Sequence, residues 1–342
     1  MIKSFMNKNP GNKTNICFFL ILSGAITAAW VFFFPWFRDV FISQYFFMPP
    51  LGLIAATIAN ATPAGAGIVY FPVLTRTVTE PVQAVRFSLM IQAYGMSLGA
   101  LKWYVTDHKL FLIKEIAVTA AAGIAGITCA VLFMPVQNPP AVRLLFNAGA
   151  FAMMHVIFVS SSRGKKTFTG HRSNSSEFIS GRSSLFFLVL FSAGFAGGII
   201  SGWIGFGIDT IFFFIMTLLY KKDTASAIVS SVVLMAVVSL FGTLINIVFF
   251  DVNTALWFSA IPGVTLGALF AAVYLSRKIG QKNILLMTFV FLSLNFIQAV
   301  WFYGGGIDHP RLCTIAAGAA CMYTGYLIFR MTSAGKITNP NS

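Results

Sequence analysis

The chain has 342 residues, of which 57% are hydrophobic and only 9% are charged, and its mean hydropathy is +0.82. A soluble protein of this length buries roughly three quarters of its surface at most, so it cannot hide this much apolar area. Disordered chains, disulfide scaffolds and cytosolic enzymes are therefore excluded. The net charge of +14 would suggest nucleic acid in a soluble protein. In a helical membrane protein it reflects cytoplasmic loops instead, and we expect no nucleic-acid partner.

Ten apolar runs follow one another along the chain, and eight have the length of one membrane span of roughly 20 residues. The runs cover residues 16–37, 41–75, 83–105, 111–134, 143–161, 185–220, 224–249, 253–276, 283–303 and 311–330. Three lysines precede the first run, which is long enough to remain as a membrane anchor. The sequence therefore predicts an all-α polytopic membrane protein.

Two of the runs, 41–75 and 185–220, are too long for a single span. About 35 helical residues extend ~52 Å, whereas the hydrocarbon core is ~30 Å thick. Small and helix-breaking residues interrupt both runs, at 59–67 and at 201–207. Irregular backbone at membrane depth occurs only where protein or water satisfies it. We therefore predict that each run is a broken helix, folded into a re-entrant hairpin.

The distribution of Lys and Arg favours this arrangement. With two hairpins and a cytoplasmic N-terminus, 18 of the 23 basic residues lie in the cytoplasm and 5 outside. If both runs crossed once, the division would be 13 and 10. The hairpin topology agrees better with the positive-inside rule. It predicts an integral plasma (inner) membrane protein whose N- and C-termini are both cytoplasmic.

The two halves of the chain also resemble each other. Gly65 and Gly67 align with Gly205 and Gly207 at an offset of 140 residues. Because the first copy begins outside and the second inside, we predict an inverted-topology repeat of helical bundles, as in many secondary transporters. The predicted division is a tail and anchor helix (1–40), a first repeat (41–161), a basic linker (162–184), a second repeat (185–303) and a C-terminal helix and tail (304–342).

Several motifs together are similar to those of the TauE/SafE family of sulfite and organosulfonate exporters. They are the glycine-rich stretch 59–72, the Gln-x-x-Gly-Met-Ser-x-Gly pattern that begins at Gln92, and the stretch 203–209 that ends in Asp209. The resemblance covers about residues 45–305. It differs where Ala64 and Ala66 replace glycines and where the acidic residue is Asp rather than Glu. The resemblance implies a secondary transporter that exports a small anion such as sulfite or an organosulfonate.

The chemistry of the two breaks fits an anion. Thr62 followed by Pro63 predicts a helix start inside the membrane, with Thr62 as N-cap and Pro63 at the first helical position. Free N–H groups and the positive end of the helix dipole would then face an oxyanion, and we expect the same at the second break. The alternative is that the glycines only allow close helix packing. The candidate substrate-binding residues are Asn60, Thr62, Gly65, Gly67, Ser88, Gln92, Ser201, Gly205 and Gly207.

Asp209 is the one acidic residue well inside an apolar run, which makes it a candidate for coupling transport to a proton or another cation. Its alternative role is structural, because a carboxylate in the first turn of a helix is stabilised there.

Other functions compete with this interpretation. A transporter or channel for another small anion or metabolite remains open. A membrane-embedded enzyme is disfavoured because the sequence contains no HExxH or GxSxG motif and no cysteine–histidine spacing of the metal-binding type. We therefore assign no catalytic residue, no metal and no cofactor. The expected partners are a small anionic substrate and the lipid bilayer, and the oligomeric state stays unassigned.

The topology yields a first prediction. A Ser175→Cys variant of a cysteine-free protein should not react with a membrane-impermeant thiol reagent added outside, because the basic linker is cytoplasmic. It should react once the membrane is permeabilised. Labelling of intact cells would overturn the topology, and the inverted repeat with it.

Overall fold

The computed structural model describes residues 10–63, 65–77, 80–136, 142, 146–147, 149, 184–220 and 222–271. All regular elements among these residues are helical, which confirms the predicted all-α class. The α-helices are α1 (Pro10–Val40), α2 (Met48–Ala61), α3 (Gly67–Thr77), α4 (Pro81–Asp107), α5 (Ile113–Thr128), α6 (Ser184–Ile204), α7 (Ile208–Phe214), α8 (Thr224–Phe249) and α9 (Thr254–Leu266). The predicted spans 143–161, 283–303 and 311–330 lie wholly or mostly outside the described residues, as does the linker 162–184.

Short π-helical turns prolong four of these helices. They are Phe41–Tyr45 after α1, Cys129–Phe133 after α5, Ile215–Leu219 after α7 and Gly267–Ala271 after α9. With these turns included, five helices in the described part of the chain are long and apolar enough to cross a membrane. They cover Cys17–Tyr45, Ile113–Phe133, Ser184–Ile204, Ala225–Phe249 and Thr254–Ala271. Helix α4 has 27 residues and corresponds to the predicted run 83–105.

Both over-long runs are interrupted where the sequence predicted. Helix α2 ends at Ala61 and α3 begins at Gly67, while α6 ends at Ile204 and α7 begins at Ile208. The second break needs glycine, because Gly205 and Gly207 have φ angles of 79° and 137°. Side chains with a Cβ are strained in that region of φ. The breaks at 59–67 and 201–207 are thus confirmed.

The predicted helix start at Thr62 and Pro63 is wrong. Thr62 is the C-cap of α2, in an extended conformation, and its hydroxyl donates to the carbonyl of Ile58 at 2.9 Å. Helix α3 starts only at Gly67. The physical reason is that the N–H and the hydroxyl of Thr62 both bind the carbonyl of Ile58, so Thr62 ends α2 instead of starting the next helix.

The most extensive contacts in the described bundle join α5 to α6, α4 to α8, and α2 to α9. Glycines allow the first and third pairs to pack with backbones almost touching. A Cβ on Gly198 in α6 would collide with the carbonyl of Gly123 in α5, and one on Gly263 in α9 would collide with the carbonyl of Pro49 in α2. Small residues serve this purpose in membrane proteins, where lipid provides no hydrophobic force between helices.

Hydrogen bonds and ring contacts show which helix ends lie together. At one end of the bundle, Asn253 donates to the hydroxyl of Tyr45, and Gln83 donates to the carbonyl of Asp251. The start of α2, the start of α4 and the turn between α8 and α9 therefore lie at this end. Since three residues separate α3 from α4, α3 also ends here. The pair α2–α3 thus begins and ends at the same end of the bundle.

The pair α6–α7 begins and ends at the opposite end. The ring of Phe186, in the first turn of α6, lies 4.4 Å from the ring of Tyr220, which follows α7. Helix α8 starts just beyond, and its Ser230 accepts the N–H of Leu112 between α4 and α5. Each broken pair consequently extends into the bundle from a different end.

Candidate functional site

The two breaks contact each other in the interior of the bundle. The Thr210 hydroxyl, at the start of α7, donates to the carbonyl of Pro63 in the first break at 2.6 Å. A Cβ on Gly67 would lie 3.0 Å from the carbonyl oxygen of Gly205. Both breaks are buried. The glycine-rich stretches, which are about 140 residues apart in sequence, therefore form one compact region.

Gln92 lies at the junction, near the middle of α4. Its side-chain Nε2 donates to the carbonyl of Gly205 at 2.5 Å and to the carbonyl of Ser88 at 2.9 Å. These two bonds fix the orientation of the amide, because only an NH₂ group can donate to carbonyls. Its Oε1 therefore points away from both carbonyls, and a Cβ on Gly65 would lie 2.7 Å from it.

The polar residues of the first break bind mainly to their own helix. Asn60 donates to the carbonyl of Ala56 at 2.9 Å and, more weakly, to that of Gly95 at 3.5 Å. Thr62 is fully buried, and its hydroxyl is already hydrogen-bonded to the carbonyl of Ile58. At the start of α3, the N–H groups of Ile68, Val69 and Tyr70 donate to the backbone carbonyls of Gly65 and Ala66, at 3.0–3.2 Å. Helix α3 begins at Gly67, beside Gln92.

The second break differs, because its own side chains bind the N–H groups at the start of α7. Ser201 Oγ accepts the N–H of Ile208 at 3.1 Å. Asp209 Oδ1 accepts the N–H groups of Gly207 at 3.2 Å and Thr210 at 2.9 Å. Our expectation that both breaks offer free N–H groups to an anion is therefore wrong for the second break. The carboxylate already fills that role.

Asp209 uses its two oxygens differently. Oδ1 makes the bonds of a helix cap, as one of our two alternatives predicted, whereas Oδ2 is buried without any hydrogen-bond partner. A Cβ on Gly65 would lie 3.4 Å from Oδ2. The Oδ2 atom and Gln92 Oε1 therefore flank the same glycine.

Other buried oxygens nearby also lack partners. Among the described residues, the unpartnered buried side-chain atoms include Asn60 Oδ1, Tyr70 OH, Gln92 Oε1 and Asp209 Oδ2. These four residues have exposed fractions of 0–2%. Native proteins pair nearly all their buried polar atoms, so each of these oxygens requires an explanation, for which a bound water or a ligand is a common one.

The structure places all the predicted site residues in or against this region. Gly65, Gly67, Gln92, Gly205 and Asp209 are in direct contact. Ser88 packs against Gly205, since a Cβ on Gly205 would lie 2.9 Å from the Cβ of Ser88. The remaining members, Asn60, Thr62, Ser201 and Gly207, hold the ends of the broken helices.

Sequence reasoning missed two residues. Thr210, which joins the breaks, directly follows Asp209, and a second polar residue at a predicted helix start was a usable signal. Tyr70 lies in an apolar run where an aromatic residue is ordinary, so nothing marked it. No group of three or more His, Cys, Asp or Glu residues with metal-binding geometry occurs in the part of the chain that the structure describes.

The helices and the paired breaks define an integral membrane protein with a polar centre built from two interrupted helices. Comparison with known families then identifies it further. The sequence profile of the sulfite exporter TauE/SafE family matches residues 48–300, well over half of the chain, and the chain belongs to this family of membrane transporters. No curated protein and no solved structure gives a significant match.

The close approach of the breaks yields a prediction about Gly67 and Gly207. Gly67→Leu and Gly207→Leu should each reduce transport to background while the protein still inserts. The first places a branched side chain against Gly205, and the second strains a residue with φ of 137° by about 1–3 kcal/mol. Gly24→Leu is the matched control, since nothing lies within 4 Å of a Cβ there. Normal kinetics in either site variant would make that glycine incidental.

Proposed function

We propose that this protein is a secondary transporter that exports a small anion such as sulfite or an organosulfonate, with its substrate site at the two helix breaks. The observation that carries the proposal is the contact between the breaks at Gln92, near the middle of α4. Secondary transporters bind substrate where discontinuous helices meet near the midplane. The family supports an exported anion.

The contacts between helices also favour an inverted-topology repeat with re-entrant hairpins. In the proposed correspondence, α2–α3, α4 and α5 match α6–α7, α8 and α9. The first helix of each half then packs on the last helix of the other, as in α2 with α9 and α6 with α5. The two central helices, α4 and α8, pack on each other. The broken pairs extend from opposite ends, as hairpins of inverted orientation would.

We place the anion at the start of α3 rather than at α7. At α7 the side chains of Ser201 and Asp209 already bind the N–H groups. At α3 the N–H groups of Ile68, Val69 and Tyr70 bind only backbone carbonyls of the break, and the helix begins at Gly67 within the polar centre. Helix α3 has 11 residues, which is long enough for its dipole to favour an anion at this end. At Gly65 the space for a side chain is taken by Gln92 Oε1 and Asp209 Oδ2, so the ligand would approach the backbone at Gly67, beside Gln92 Nε2.

The proposed orientation has both termini in the cytoplasm of a cell whose plasma membrane holds the protein. In this orientation the end of the bundle that contains Tyr45 and Asn253 faces outward. Arg86, near that end, stacks over the ring of Phe250 at 4.2 Å, so its charge can stay near the headgroups while its stem lies along α4.

Transport by purified protein in lipid vesicles tests the function. We expect saturable efflux of internal sulfite or alkyl sulfonates, weaker efflux of carboxylates of similar size, and none of neutral solutes, because the helix start selects negative charge. Vesicles that contain the Gly67→Leu variant provide the background. Passage of neutral solutes at an equal rate would favour a non-selective channel, and the absence of any anion flux would contradict the proposal.

The second test concerns coupling, for which we propose that Asp209 exchanges a proton during each cycle. Asp209→Asn should then lose efflux driven by a pH gradient, whereas anion-for-anion exchange, which needs no net proton movement, should survive. If the residue is only a cap, Asn should replace it well, since Asn and Asp rank alike as caps.

Asp223→Asn is the matched control for this experiment. Asp223 is exposed, belongs to neither break, and its carboxylate caps α8 through the N–H of Ser226. We expect that variant to keep pH-driven efflux at the level of the unmodified protein. Full pH-driven efflux in Asp209→Asn would leave Asp209 with the capping role alone.

A further inference from the structure

A cavity lies towards the end of the bundle that contains Tyr45 and Asn253. Its walls are the first turns of α4, the end of α8, the residues that follow α5 and the last turn of α6. About 40 Å³ of it is open to the centres of water-sized molecules. Since one water needs roughly 10–15 Å³ of such space, the cavity can hold roughly three waters or one small oxyanion.

The cavity runs from a half-buried rim to a buried floor. Val82, in the first turn of α4, and Phe250, just after α8, are half-buried. Deeper along the same two helices, Val85, Leu89 and Asn246 line the cavity with exposed fractions of 1–5%. A ligand that enters at the rim therefore moves towards the interior of the bundle.

The second break adjoins the floor. A Cβ on Gly205 would lie 3.4 Å from the carbonyl oxygen of Val85, and Gly202, in the last turn of α6, itself lines the cavity. On its other side, the carbonyl oxygen of Gly205 would lie 3.0 Å from a Cβ on Gly67. The chain at Gly205 therefore separates the cavity from the start of α3.

Arg86 is the one charged residue among the described residues that line the cavity. Its guanidinium stacks on the ring of Phe250 and forms no hydrogen bond or ion pair with any residue that the structure describes. The exposed carboxylate of Asp251 attracts it electrostatically without pairing with it. A guanidinium stacked on a ring keeps its N–H groups available, because they point outward in its own plane.

We propose that this cavity is a second anion site, at which Arg86 binds the sulfonate group of a small alkyl sulfonate on its way out of the protein. Two N–H groups of a guanidinium can bind two oxygens of such a group at once. Most of the other described lining is apolar, including Val82, Val85, Leu89 and Val131, and can contact the alkyl part. The single positive charge matches an anion with one negative charge.

The role of the site in release rests on the proposed function. The transported anion leaves the start of α3, passes the chain at Gly205 and reaches Arg86 before it enters the outer solution. Binding of an anion at Arg86 needs no transport, and it is therefore measurable on its own.

Charge-selective labelling of a cysteine in the cavity tests the site. In a cysteine-free protein in vesicles of uncharged lipid, Val82→Cys places a thiol on the cavity wall. Ser43→Cys places an exposed thiol at the same end of the bundle but outside the cavity. We measure the labelling rates of two methanethiosulfonate reagents, one with a sulfonate and one with a quaternary ammonium group.

We expect the ratio of the anionic to the cationic rate to be roughly tenfold higher at Val82→Cys than at Ser43→Cys, because a positive charge a few ångströms away changes the two rates in opposite directions. Arg86→Gln should abolish this preference, and Arg86→Lys should keep it. Arg38→Gln is the matched control, since Arg38 is exposed on α1 and does not line the cavity. It should leave the ratio unchanged.

An uncharged methanethiosulfonate measures occupancy of the cavity. Sodium methanesulfonate should slow the labelling of Val82→Cys relative to sodium gluconate at equal concentration, because a bound anion fills the cavity. Labelling of Ser43→Cys should not change. The protection should weaken in Arg86→Lys, which keeps the charge but loses the planar pair of donors, and disappear in Arg86→Gln.

Equal rate ratios at Val82→Cys and Ser43→Cys would overturn the proposal, as would protection that survives in Arg86→Gln. The first comparison keeps Arg86, so it decides the matter even if Arg86→Gln does not fold. Anion flux without any charge preference in the cavity would refute the second site and keep the transporter. Charge preference and protection without flux would keep the site and refute the proposed function.

Discussion

A helix that stops inside a membrane leaves backbone groups that neither lipid nor bulk water can satisfy. Here each break meets this requirement with groups from elsewhere in the protein. Gln92 binds the carbonyl of Gly205, and Thr210 binds the carbonyl of Pro63. The position of α4, the pairing of the two halves and the burial of the polar centre all follow from this need.

The two breaks differ in how their backbone N–H groups are hydrogen-bonded, and this difference defines the chemistry of the site. At the second break Ser201 and Asp209 bind the backbone N–H groups, so that terminus is closed. At the first break the N–H groups of Ile68, Val69 and Tyr70 bind the backbone carbonyls of Gly65 and Ala66 instead. The two helix starts of the polar centre are therefore satisfied in different ways, one by side chains and the other by the backbone of the break.

The sequence predicted much of this because its strongest signals are local. Runs of about 35 apolar residues cannot cross once, and Gly205 and Gly207 mark a break that other residues disfavour. The family motifs also contain most residues of the polar centre. The sequence could not decide, however, which backbone groups a polar side chain near a break binds. Thr62 satisfies the turn before it instead of starting α3, and Asp209 divides its oxygens between a cap and the polar centre. Both uses of Thr62 are local, so the sequence pattern is the same for either, whereas the position of Asp209 Oδ2 beside Gly65 depends on contacts between distant parts of the chain.

The bond between Thr210 and Pro63 has a consequence for biosynthesis. Helices α1 to α5 leave the ribosome and enter the membrane before α6 and α7 have been made. Until then the carbonyl of Pro63 lacks the hydroxyl that binds it, and Gln92 keeps only its bond to Ser88. The amino-terminal half must therefore wait in the bilayer with an unfinished centre. Its maturation depends on the later half arriving, so the amino-terminal half is not a self-sufficient folding unit.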